Sequence, residues 1–123
     1  MWTGEVVVEV EGTEEFETWF LALNEKEAEA VVRVVGLLEE KGVALSFPYS
    51  SEIKGSQALR ELRIQSGGHP LRVLYAFDPL RRAVLLLGGN KSGDDRFYET
   101  FVPHAEHVWR EYLASFQKEE KRK

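Results

Sequence analysis

At 123 residues the chain is sized for one domain with a real hydrophobic core, and nothing in it marks a second. With 43% hydrophobic and 30% charged residues it reads as a globular and not a disordered polypeptide, and the absence of cysteine excludes disulfides and thiolate chemistry. The net charge of −5 argues, as an average, against a nucleic-acid partner.

The average hides a segregation. Residues 1–40 sum to −9, residues 41–96 to +4, and residues 97–123 balance, so the middle of the chain is the part able to face phosphates. The opening residues lack a basic stretch and no secretion signal is expected; the longest apolar run, residues 83–87, is far too short to cross a bilayer. A cytoplasmic protein is the simplest expectation, with one domain over residues 1–116 and a charged tail over 117–123.

Residues 5–10, rich in valine, predict a first strand that ends at Glu11-Gly12. Thr13 is placed to cap a helix whose first turn carries Glu14, Glu15 and Glu17, and whose apolar face holds Phe16, Trp19, Phe20 and Leu23, ending near Asn24. A second helix spans residues 25–41, with Val31, Val35 and Leu38 among its apolar positions and Gly42 as its stop. Pro48, Ser50 and Ser51 make residues 43–55 an irregular connection. Strands follow at 58–64, 71–77 and 83–88, joined by turn-like segments at 65–70 and 78–82. A last helix runs over 96–116, with Pro103 near its start, and the tail from Lys118 is expected to fray. The order β-α-α-β-β-β-α describes an α+β domain with helices packed on a small, mainly antiparallel sheet.

The segments Ile53-Lys54-Gly55-Ser56, Leu59-Arg60-Glu61-Leu62-Arg63, Arg72-Val73-Leu74-Tyr75-Ala76-Phe77-Asp78 and Leu85-Leu86-Leu87-Gly88-Gly89-Asn90-Lys91 together resemble the phage-derived HigB-like branch of the RelE/ParE toxin superfamily. The resemblance runs from the first strand to about Leu113. It implies the RelE-like fold, the toxin half of a type II toxin–antitoxin pair, and metal-independent, ribosome-dependent cleavage of messenger RNA in the A site without a cofactor. It also implies a helix-turn-helix antitoxin as partner, beside the ribosome and its messenger RNA. ParE relatives share the fold but inhibit gyrase without cutting RNA, and a catalytically inactive binding module is a further reading, so fold alone does not fix the activity.

Metal-free RNA cleavage needs a base for the 2′-hydroxyl, charge stabilisation at phosphorus and an acid for the leaving 5′-oxygen. Arginine suits the second task as a bidentate, permanently charged clamp. Strand alternation puts Glu61 and Arg63 on one face and Arg60, Leu62 and Ile64 on the other, so the resemblance favours Arg63 and Arg72 as the phosphate-facing pair, with Lys54 and Arg60 as RNA contacts. An Arg63–Glu61 or Arg72–Asp78 ion pair is the plainer structural account of the same residues. Lys91, or Lys54, is a candidate acid or base, because a lysine among arginines has its pKa lowered, and the resemblance implies Tyr98 as a further candidate, since relatives carry a catalytic tyrosine or histidine near the last strand or the C-terminal helix. No histidine stands in the strands in a catalytic position. Gly88-Gly89-Asn90-Lys91-Ser92-Gly93 lacks the order of a phosphate loop, and His104, Glu106 and His107 lack a further ligand, so no metal site is expected.

Overall fold

The computed structural model describes residues 7–122, with side chains through Glu119. Of the predicted strand at 5–10, residues 5 and 6 lie outside the described residues, and residues 7–9 form no strand, because the Val7 and Val8 N–H groups donate to the Glu39 carbonyl of the second helical segment instead of to a neighbouring strand. The paired segment is β1 (Val10–Gly12), followed by α1 (Glu14–Leu21), α2 (Glu25–Lys41), one 3-10 turn (Gly42–Ala44), β2 (Ser50–Glu52), β3 (Arg60–Ser66), β4 (His69–Phe77), β5 (Ala83–Asn90) and α3 (Phe97–Arg122).

The helix starts follow from their caps. Thr13 Oγ1 accepts from Phe16 N at 3.1 Å while donating to the Leu86 carbonyl at 2.8 Å, which ties the start of α1 to β5. Asn24, expected to close the first helix, instead opens the second through a capping box with Glu27, and α1 stops at Leu21. At the other end of the chain, α3 continues through Arg122, so the charged tail expected to fray is helical that far.

The sheet order is β1-β5-β4-β3-β2, with only the β1–β5 pair parallel. This is the expected α+β architecture with one strand added. The connection at 43–55 contains β2, whose Ser50-Ser51-Glu52 shows no apolar alternation and is drawn into the sheet by pairing with the edge of β3. The β3–β4 hairpin closes on Gly67 (φ 56°) and Gly68 (φ 80°), the two positive φ values that a two-residue type I′ turn requires. His69 and Pro70, expected in that turn, begin β4 instead.

The sheet is buried on both faces. Phe16 of α1 and Ala30, Val31, Val34 and Leu38 of α2 pack against Leu62, Ile64, Leu71, Val73, Tyr75 and Leu85. On the other face Ala105, Val108 and Trp109 of α3 pack against Leu59, Leu74, Ala76, Val84, Leu86 and Leu87. After the exposed His69, central β4 is accordingly a nearly continuous apolar run interrupted at Arg72. Consecutive glycines on β5 let both helical layers close: a Cβ on Gly88 would lie 2.1 Å from the Trp19 ring of α1, and one on Gly89 would lie 2.3 Å from Phe101 of α3.

The far half of α3 is tied down by a polar network. The Asp78 carboxylate, its side chain fully buried, accepts from Arg82 Nε and the Tyr112 hydroxyl, both at 2.8 Å, and from the backbone N–H groups of Leu80 and Arg82 at 2.9 Å. Arg82 also reaches Glu11 at 3.2 Å. Asp78 thus pairs with Arg82 and not with Arg72. Burial by itself raises the Asp78 pKa, but the hydrogen bonds from Arg82 and Tyr112 outweigh it and hold the carboxyl below its ordinary value.

Asp78→Ala is expected to lower unfolding free energy by about 3 kcal/mol in urea titrations, because Arg82 and Tyr112 lose their shared acceptor. Arg81→Ala, in the same turn but exposed, should stay within about 0.5 kcal/mol. Since the folded pKa is depressed, the Asp78 contribution is complete above about pH 4 and is lost as pH falls through the lower folded value. Asp78→Asn should flatten that acid limb, which unfolding curves between pH 2 and about pH 5 will read.

Candidate functional site

Strand alternation on the α3 side of the sheet brings Glu61 and Arg63 of β3 beside Arg72 of β4, and Arg63 and Arg72 are direct cross-strand partners. Two guanidinium groups directly opposite one another repel unless an anion lies between them. Glu61 supplies it. Its Oε1 accepts from Arg63 Nη1 at 3.0 Å and from Ser51 Oγ at 3.0 Å, and lies 3.9 Å from Arg72 Nε.

The three charges differ sharply in access to water. The Arg63 side chain is 31% exposed, whereas those of Arg72 and Glu61 are 6% and 4% exposed. Arg72, expected to face a phosphate from the sheet surface, is turned inward and spends one donor on the Leu71 carbonyl at 3.0 Å. The buried pair is not fully satisfied: Glu61 Oε2 and Arg72 Nε lack hydrogen-bond partners.

The first turn of α3 closes the cluster from above. Tyr98 is half-buried next to Glu61 and Arg72; burial raises its pKa, the Glu61 carboxylate raises it further, and Arg72 offsets only part of this. The group is therefore a neutral phenol across the physiological range, suited to giving a proton and not to taking one. The Lys91 ammonium, one residue beyond β5, lies over the Tyr98 ring at 5.0 Å from its centroid. Beside Tyr98 opens a cleft of about 590 Å³ lined by Ile53, Lys54, Glu61, Tyr98, Val102 and Pro103 among others.

Five of the residues singled out by sequence thus share one region: Arg63, Arg72, Lys91 and Tyr98 in the cluster, and Lys54 on the rim of its cleft. Arg60 does not join them, since it lies on the opposite strand face and pairs with Glu52 at 3.8 Å. Glu61 is the residue that sequence reading passed over as an ion-pair partner. His69 bonds Ser92 at 3.0 Å, His107 bonds Glu111 at 2.7 Å, and among the described residues no group of acids and histidines is arranged to hold a metal.

Comparison with known proteins agrees with this architecture. Residues 18–110 match the family described as "Phage derived protein Gp49-like (DUF891)". A Mycobacterium tuberculosis protein named "Putative toxin HigB3" is 37% identical over 100 residues, covering 80% of this chain and 88% of its own. A second from the same organism, "Putative toxin HigB2", is 35% identical over 120 residues, 94% of this chain, which spans only 56% of that longer protein. Among solved structures, the crystal structure of the archaeal RelE-RelB complex from Pyrococcus horikoshii OT3 contains a chain that superposes with a TM-score of 0.53 at 15% identity, over 70% of this chain and 97% of that one, a likeness of fold. The chain belongs to the phage-derived Gp49-like family, together with relatives named as HigB toxins.

Proposed function

We propose that the protein is the toxin of a toxin–antitoxin pair and a metal-independent endoribonuclease that cuts messenger RNA in the ribosomal A site, acting in the cytoplasm and silenced by a helix-turn-helix antitoxin. The observation that carries this reading is the Glu61–Arg63–Arg72–Tyr98 cluster, with Lys91 against it, in a chain of the HigB-like branch.

Two requirements of metal-free cleavage, charge stabilisation at phosphorus and an acid for the leaving oxygen, find groups in that cluster. Arg63, the most exposed of the paired charges, and Lys91 meet the scissile phosphate and stabilise the charge that develops on its oxygens. Lys54, exposed on the cleft rim, holds the adjoining backbone. Tyr98, kept as a phenol, protonates the departing 5′-oxygen. The Glu61 carboxylate, whose Oε2 is closed off from solvent, orients Arg63 and the Tyr98 phenol and does not itself face the 2′-hydroxyl. Buried Arg72 acts as a positioning residue that holds Glu61 in place, and Arg60, on the other face, contributes at most peripheral RNA binding.

Expression of the protein alone in bacteria is expected to stop amino-acid incorporation before DNA synthesis; DNA breakage with intact translation would instead mark a gyrase inhibitor. Arg63→Ala should reduce cleavage of ribosome-bound messenger RNA by about 10²-fold, mapped by primer extension, with weak rescue by lysine.

Arg72→Ala should behave differently, lowering stability by about 3 kcal/mol because it strands a buried carboxylate. The double variant Glu61→Leu/Arg72→Met should regain most of that stability and still not cut, a separation that thermal unfolding and primer extension measure together.

For Tyr98, difference titration of tyrosinate absorbance between wild type and Tyr98→Phe should show a phenol ionising above about pH 10, and Glu61→Gln should bring it down. An unshifted phenol would remove the acid assignment.

A further inference from the structure

The segment between the 3-10 turn and β2 presents an aromatic ring to solvent beside the cluster. Phe47 is 71% exposed, and Tyr49 on the same segment is also open. A large exposed aromatic on a small protein calls for a reason. The ring is not loosely held: the Arg63 Cζ stands over it at 5.3 Å from the centroid, and the Arg63 backbone N–H donates to the Tyr49 carbonyl at 2.8 Å, which pins the segment to β3 at the residue whose guanidinium covers Phe47. One face of Phe47 is therefore backed by a cation that is itself fixed by Glu61 at 3.0 Å, and the other face is open.

We propose that Phe47 is a base-stacking residue: its open face receives an unpaired nucleobase of the RNA strand whose phosphate meets Arg63. The inference deepens the nuclease reading above and rests on it. A phosphate gripped by Arg63 brings its own or the adjoining nucleoside within reach of a ring only 5.3 Å from that guanidinium. Single-stranded RNA is bound in this way, by aromatic faces that accept any base beside cations that track the backbone. A guanidinium on the far face electron-depletes the ring and strengthens its stacking on an electron-rich base. The charge of the place selects the same occupant. In a chain of net charge −5, the aromatic stands in the one stretch with a surplus of basic residues and against one of them, a setting for an anionic strand more than for an acidic or apolar protein segment.

The test combines Phe47→Leu, which keeps apolar bulk without a π face, and Phe47→Trp, which keeps the face, on ribosomes programmed with messenger RNA carrying an abasic site at each A-site position in turn. Phe47→Leu is expected to cut about 10- to 100-fold more slowly and Phe47→Trp at near the wild-type rate. One abasic position should slow the wild type by a similar factor and Phe47→Leu no further. In parallel, a ribo-oligonucleotide should quench the Phe47→Trp fluorescence in excess of the wild-type background, and its abasic counterpart should not.

Equal cutting by Phe47→Leu and wild type overturns the proposal while leaving the nuclease reading intact. Additive losses from Phe47→Leu and from every abasic position also overturn it, since the ring would then serve only to hold Arg63. Normal cutting with loss of the antitoxin complex would transfer Phe47 to the protein interface. If the wild type itself does not cut, the nuclease reading fails, and quenching that requires the base still decides whether Phe47 stacks.

Discussion

A carboxylate almost without access to water sets the terms for the rest of this molecule. Taking Glu61 out of solvent costs several kcal/mol unless cations and hydrogen bonds surround it, and the sheet meets that demand from three directions at once. Arg63 comes from the same strand, Arg72 from the neighbouring one and the Ser51 hydroxyl from the short edge strand on the other side. The same anion makes tolerable what would otherwise be excluded, two arginines directly opposite each other in an antiparallel pair. It also reaches upward into α3, where it adds to the effect of burial in raising the Tyr98 pKa. The buried carboxylate, the phosphate-facing cation and the acid of the proposed reaction are thus three parts of one electrostatic arrangement, and altering any of them changes the others.

The distribution of charge along the chain acquires a spatial meaning from this. The strongly acidic first third builds α1 and α2 on one face of the sheet, away from the cluster, and the basic stretch of residues 41–96 supplies β2 through β5. On the nuclease reading proposed above, an RNA strand would meet this basic stretch first, and the acidic helices would discourage binding elsewhere. Under that reading a protein of negative net charge would accept a polyanion without a generally basic surface.

Much of the fold was legible because its signals are local. Thr13 caps α1, Gly42 ends α2, and the paired glycines at 67 and 68 close a hairpin, each for reasons contained within a few residues. What escaped was decided by distant partners. Ser50-Ser51-Glu52 has no strand pattern of its own and becomes β2 only because the edge of β3 is open to pairing. Asn24 suited the end of one helix as well as the start of the next, and the Glu27 carboxylate settles the matter. In the cluster, alternation correctly separated Arg60 from Arg63, yet it assigned Glu61 no burial, because an acid between leucine and arginine on a strand looks like solvent-facing charge. Only the placement of α3 over that face makes it an interior residue. Tyr98 entered through family resemblance, and Phe47 left no signal in sequence, since its importance lies in the guanidinium above it.

The two bare residues of β5 have a mechanical meaning as well. At Gly88 and Gly89 the rings of Trp19 and Phe101 press on the same stretch of main chain from opposite sides, with no side chain between them to absorb movement. Close-packed interiors of this kind transmit strain instead of cushioning it. Any load that shifts α1 is carried through the thickness of the sheet to Phe101, one helical turn from Tyr98, so the acidic back of the protein has a rigid line to its chemical front.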